Sequence, residues 1–181
     1  MKRLAIAVAL LALSIFGIAA TARAQTAVQA PMTDAHIERI RANCTSASQT
    51  LRKIHVNDAL SRVDRRQQYE LISSRLMARF NSRVALNKLD GTSLLLTTSK
   101  YNESFNAFRA SDLIYDNQVS DALKIDCHKQ PVAFYDAVAK ARELRAEVYR
   151  HNQDIIQYAK EYKGSFDEFR QQQSSRDEVA Q

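Results

Sequence analysis

Three glycines, two prolines, two cysteines and no tryptophan are spread over 181 residues. So little glycine excludes the Gly-rich loops that cradle phosphate, and no G-x-S-x-G nucleophile elbow occurs. Glycine and proline also punctuate secondary structure, so their scarcity permits long uninterrupted helices. Period-2 alternation of apolar residues never persists, so little or no β-structure is expected. Two cysteines and four scattered histidines (His36, His55, His128 and His151) lack zinc-ligand spacing, and there is no C-x-x-C-H for haem attachment. Glu147 and His151 stand four apart, unlike the Glu-x-x-His of di-iron bundles. Asp112 and Asp126 offer no evident acid–base pair. The expectation is a non-enzymatic chain with no catalytic residue, metal or cofactor.

Long hydrophobic runs are also scarce, with one exception at the N-terminus. Lys2 and Arg3 precede an uncharged apolar run from Leu4 to Ala20, and Ala22-Arg23-Ala24 closes the segment. A basic start, an apolar centre and a small-x-small end are the parts of a secretory signal peptide. Residues 1–24 are therefore read as a signal and 25–32 as a flexible leader, with a retained membrane anchor as the rival reading. No second run approaches the roughly 20 apolar residues of a spanning helix, so the mature chain is expected not to be integral to a membrane. Export to the periplasm or the extracellular space is the expected localisation.

An oxidising compartment gives the cysteines a meaning. An even pair, Cys44 and Cys127, most simply forms one disulfide, with free thiols or intermolecular pairing as alternatives. Removal of Lys2, Arg3 and Arg23 leaves 23 basic against 20 acidic residues, a net charge of +3 instead of +6. That excess is too slight for a nucleic-acid partner. Its distribution is uneven: Thr33 to Lys88 holds 11 basic and 5 acidic residues, and Asp90 to Asp126 holds 3 and 6.

Apolar spacing predicts helices throughout residues 33–170. After Thr33, a candidate N-cap, Ile37, Ile40, Cys44, Ala47, Leu51 and Ile54 form a narrow seam of coiled-coil type. The register then slips near Asn57-Asp58, and a second stripe takes over at Leu60, Val63, Tyr69, Ile72, Leu76, Phe80 and Val84. Asp90-Gly91 ends the region, with Gly91 free to turn left-handed, and Thr92 or Ser93 caps the next helix. That helix carries Leu94, Tyr101, Phe105, Phe108, Tyr115, Val119 and Ala122. A loop at Asp126–Gln130 leads to Pro131 at the first position of a last helix. Its apolar face runs through Phe134, Val138, Ala141, Leu144, Val148, Ile155, Tyr158 and Tyr162, and residues 171–181 form a polar tail.

These signals give an all-α fold: an elongated antiparallel bundle of three long helices plus a shorter N-terminal helix. The short turn at Gly91 makes its flanking helices antiparallel neighbours. Straight pairing puts Arg79 near Glu103 and Arg65 near Asp116, but sets Cys127 opposite about residue 54, ten residues short of Cys44. At 1.5 Å per residue the gap is about 15 Å, against about 4.4–6.8 Å between the Cα atoms of a disulfide. A disulfide thus requires a break in the first region between Cys44 and Asp58.

The most conspicuous cluster is Arg62, Arg65, Arg66, Arg75, Arg79 and Arg83. Four-residue spacing stacks side chains on one helix face, which makes the cluster the candidate anion- or partner-binding face. The structural reading, preferred here, is that the arginines cover apolar surface and pair with Glu103, Asp112 and Asp116. The aromatic residues lie mostly on apolar faces and read chiefly as core. The sequons at Asn43 and Asn102 matter only where exported proteins are glycosylated.

The run from Arg75 to Gly91, with Asp126-Cys127 and Pro131-Val-Ala-Phe-Tyr135, resembles an uncharacterised family of secreted helical bacterial proteins, a resemblance that implies no activity. The basic helical make-up is also similar in style to Skp-like periplasmic chaperones, from which the cysteine pair departs. Function is therefore expected to be that of an exported helical binding or structural protein, in a chaperone-like version if an apolar groove is exposed. Its partner would be a protein or the cell surface. The alternative is a small-ligand carrier with an aromatic cavity between helices.

Overall fold

Thr33 begins the first helix as the sequence predicts, its side-chain oxygen accepting the His36 N–H at 3.4 Å. The computed structural model describes residues 32–179, with side chains described as far as residue 176. The expected signal peptide and all of the expected leader before Met32 lie outside these residues. Helix α1 (Asp34–Leu71) passes into a π-helical turn (Ile72–Met77) and then α2 (Ala78–Leu86), making one continuous rod. Helices α3 (Thr92–Ala122) and α4 (Pro131–Val179) follow, and no strand occurs among the described residues. The rod is about 80 Å long at 1.5 Å per residue.

The fold is an all-α antiparallel bundle of three long rods. Asn81 bonds Thr98 while Arg62 reaches Asp116, so the first rod and α3 run oppositely. Ser93 meets Ser165 and Gln118 meets Ala137, which sets α4 antiparallel to α3. Gly164 does not interrupt α4, and the polar stretch from Gln171 is helical as far as Val179.

Two predicted features are corrected. The rod does not break between Cys44 and Asp58, since α1 passes through both. Cys44 and Cys127 are nevertheless bonded, with Cα atoms 5.5 Å apart. Straight pairing assumed regular α-helix on both sides, and neither side is: α3 stops at Ala122, five residues before Cys127, and the first rod contains the π turn, which winds more residues into each turn. Without that break no separate shorter helix is set off at the start of the described residues, since α1 runs unbroken from Asp34 to Leu71.

The second correction concerns which face of α1 turns inward. No slip occurs at Asn57-Asp58: the face of Cys44 and Leu51 continues through His55, Asp58, Arg62, Arg66 and Tyr69 at spacings of three and four. Leu60 and Val63, expected inside, are 69% and 62% exposed. Beyond Tyr69 an uninterrupted α-helix would bring the seventh residue, Leu76, back to the same face. The π turn adds a residue, so Met77 takes that place at 1% exposure while Leu76 is 57% exposed. The Tyr69 carbonyl, at the start of this turn, accepts the buried Tyr101 hydroxyl at 3.1 Å.

The core consequently has two parts. One gathers Leu51, Tyr115, Val119, Phe134 and Leu144 around the disulfide. The other gathers Tyr69, Met77, Val84, Tyr101, Phe105, Phe108, Ile155 and Tyr162 toward the α2–α3 turn. All seven residues predicted for the α3 stripe are buried. Helices α3 and α4 share the most extensive interface, and α1 meets both more sparsely.

The α2–α3 turn uses its residues differently from expectation. Lys88, not Gly91, adopts the left-handed conformation (φ 56°), and Gly91 has φ −117°. Leu89 N–H bonds the Val84 carbonyl and Lys88 N–H the Ala85 carbonyl, the two bonds of a Schellman ending. Gly91 is needed for closeness instead, because a Cβ there would lie 2.7 Å from Val84 Cγ1. The start of α3 is held by Asp90, whose carboxylate accepts from the Thr92 N–H and hydroxyl.

Candidate functional site

Between the two apolar cores, α1 meets its neighbours through charge. Asp112 is 4% exposed and lies 2.7 Å from Arg66 Nη2 and 3.6 Å from Arg62 Nε. Arg62 Nη2 donates to Asp116 Oδ1 at 2.8 Å, and His55 Nε2 stands at the same distance from that oxygen. Asp58 accepts two bonds from Arg145 on α4, both 2.9 Å, and one from the Tyr115 hydroxyl at 2.6 Å. Buried charges persist only when paired in this way.

The carboxylates respond differently to one seam. Burial pushes Asp58 up, but hydrogen bonds from Arg145 and Tyr115 outweigh it and hold the carboxyl below its ordinary range. Asp116 behaves likewise, with Arg62 and His55 overcoming burial. At Asp112 burial wins over the attraction of Arg62 and Arg66, and the carboxyl sits above its ordinary range. The Tyr115 phenol is raised, first by burial and then by the Asp58 acceptor.

Beside this seam lies a groove of about 510 Å³ between α1 and α4. Phe108 and Tyr115 belong to its apolar lining, and Arg62, Arg65, Arg142 and Arg145 bring four guanidinium groups to it against the carboxylates of Asp58 and Asp112. Arg62 and Arg145 are committed to those carboxylates and to Asp116. Arg65 and Arg142 have no ion-pair partner among the described residues. Tyr149, 64% exposed, completes the wall.

The arginine cluster is thereby divided. Arg62 and Arg66 turn inward to Asp112 and Asp116, as the structural reading expects, and Arg65 turns to the α1–α4 groove. Arg75, Arg79 and Arg83 line a different groove, between the π turn, α2 and α4. The expected pairing with Glu103 is absent among the described ion pairs, because the register places Ser73, not Arg79, beside Asn102. Sequence reasoning missed Asp58, Arg142, Arg145 and Tyr149. An unbroken helical face carried forward from Leu51 would have found Asp58 and, with it, the need for a cation on a neighbouring helix.

Among the described residues no group of His, Cys, Asp and Glu side chains is placed to hold a metal ion, and no helix is long and apolar enough to cross a membrane. The aromatic residues predicted as core are largely so: Tyr101, Phe105, Phe108, Tyr115 and Phe134 are buried, whereas Tyr135 is exposed. Fold and site together define a disulfide-clamped three-rod bundle with cation-lined grooves. No protein family, curated protein or solved structure matches the chain.

Proposed function

We propose that the chain is an exported, non-enzymatic helical binding protein of the cell envelope or extracellular space, whose α1–α4 groove receives an acidic segment of a protein partner. The observation that carries this reading is the pair Arg65 and Arg142, two cations lining one groove with no carboxylate of their own among the described residues. A guanidinium recognises carboxylates with two parallel hydrogen bonds, which suits it to such a partner. Arginine and tyrosine are also the side chains that dominate protein interfaces, and Tyr149 stands beside the cations. Export is supported by the signal pattern of residues 1–24 and by the Cys44–Cys127 disulfide, a bond suited to oxidising compartments.

The test is titration of the full chain with a poly-L-glutamate peptide at low and physiological salt. Binding should be salt-sensitive, and the double variant Arg65→Glu/Arg142→Glu should weaken it at least about tenfold, the equivalent of about 1.4 kcal/mol. Undiminished binding by the double variant, or no binding by the unaltered chain, contradicts the reading.

A further inference from the structure

The second groove has a different chemistry. It is about 500 Å³, within the range of small-molecule sites, and has an apolar floor that includes Leu76, Phe80, Tyr162 and Phe166. Arg75, Arg79 and Arg83 follow one edge at four-residue intervals, a line of about 12 Å at 1.5 Å per residue. None of the three has an ion-pair partner among the described residues, whereas Lys163 across the groove is paired with Asp167. The π turn makes part of this wall: it supplies Ile72, Arg75, Leu76 and Met77, and its extra residue sets Leu76 outward instead of inward. Single π turns within α-helices are frequent at functional sites.

The geometry points to this groove as a binding site for a single-chain anionic amphiphile, an acyl chain with a carboxylate or phosphate head. The chain lies along Leu76, Phe80 and Phe166, and the head meets the free guanidinium groups of Arg75, Arg79 and Arg83. Charge complementarity selects the head, since three cations in a row have no anion of their own. The apolar floor selects the chain, because a hydrophilic polyanion would leave it uncovered. A stacking nucleobase would have to compete with contacts Phe80 already makes, edge-to-face with Phe166 and Phe169 at 4.9 and 5.6 Å between ring centres. This site takes up the small-ligand reading and does not depend on the α1–α4 groove.

The experiment titrates the full chain with monomeric dodecanoate and with lysophosphatidylglycerol, each below its micelle concentration, and with dodecanol as the uncharged control. Both anionic probes should bind, and dodecanol at least about tenfold more weakly, as expected for loss of one charge-assisted contact of about 1.4 kcal/mol. Arg79→Glu/Arg83→Glu should reduce anionic binding by at least about tenfold, and Leu76→Glu should do the same from the apolar side. All three residues are exposed, so the variants keep the fold, and an unchanged far-ultraviolet circular dichroism spectrum checks this. Arg65→Glu/Arg142→Glu should leave these affinities unchanged. Equal binding of dodecanol, or insensitivity to Arg79→Glu/Arg83→Glu, overturns the proposal. So does binding to phosphatidylglycerol vesicles without binding of the monomeric probes, which would assign the face to a membrane surface. A dimer whose formation blocks the probes would assign it to a second copy and also overturn the proposal. If the amphiphiles fail while poly-L-glutamate still binds at Arg65 and Arg142, only the amphiphile site falls.

Discussion

At Asp58 a single carboxylate accepts three hydrogen bonds, two from Arg145 and one from Tyr115. It therefore ties α1 to both other rods. Its carboxyl is held below the ordinary range, so the folded protein binds fewer protons there than the unfolded chain does. The resulting stabilisation is fully present above the unfolded carboxylate value of about 4 and is lost as pH falls through the lower folded value. Asp116 has the same sign. Asp112, held above the ordinary range, has the opposite one: its contribution is present below about pH 4 and is lost as pH rises through its raised value. Asp58→Asn should cost about 1.5–3 kcal/mol near neutrality, the worth of hydrogen bonds to a charged group. Thermal unfolding followed from pH 7 to pH 3 should also show a shallower acid decline in the variant than in the unaltered protein. Parallel pH profiles would remove Asp58 from the seam.

Among the elements, the α3 face is the one most legible in the sequence. Its apolar residues recur at helical spacing, with Asp112 the one charge buried among them, and each of those named is buried. The first rod was harder to read because following apolar residues leads off its true face at Leu60 and Val63. The inward positions there are Asp58, Arg62 and Arg66, charges that become tolerable only because α3 and α4 bring Asp112, Asp116 and Arg145 opposite them. No local pattern in α1 contains that information. The π turn was equally hidden, since one extra residue moves Met77 inward without changing composition. At the α2–α3 turn the glycine was recognised but its reason was not: the left-handed residue is Lys88, and Gly91 makes room for Val84. Gly91→Ala should destabilise by about 1–3 kcal/mol, the usual cost of overpacking, and Val84→Ala should make that substitution nearly harmless. A double-mutant cycle measured by denaturant unfolding checks the coupling.

On the scale of the whole molecule, α3 and α4 form a closely packed pair, and α1 is fastened to them at two apolar ends with a charged middle. The disulfide reinforces one end. Bridging Cys44 and Cys127 closes a loop of 83 residues, worth about 4.5 kcal/mol in the loop-entropy treatment. Reduction, or Cys44→Ser with Cys127→Ser, should lower stability by about that amount in urea unfolding while leaving the helical spectrum intact. Paired charges contribute less net stability than well-packed apolar residues, because desolvation offsets attraction. The charged middle thus sets the register of α1 more than it holds it down, and it is there that the α1–α4 groove opens.

Hydrogen exchange resolved along the chain tests this arrangement most directly, since amide protection reports local opening free energy. In the oxidised protein, amides of α1 between His55 and Arg66 should exchange faster than those of α3 between Phe108 and Val119 and those of α4 between Leu144 and Ile155. Equal protection of all three rods through this level would contradict a bundle whose first rod is held at its middle by charge.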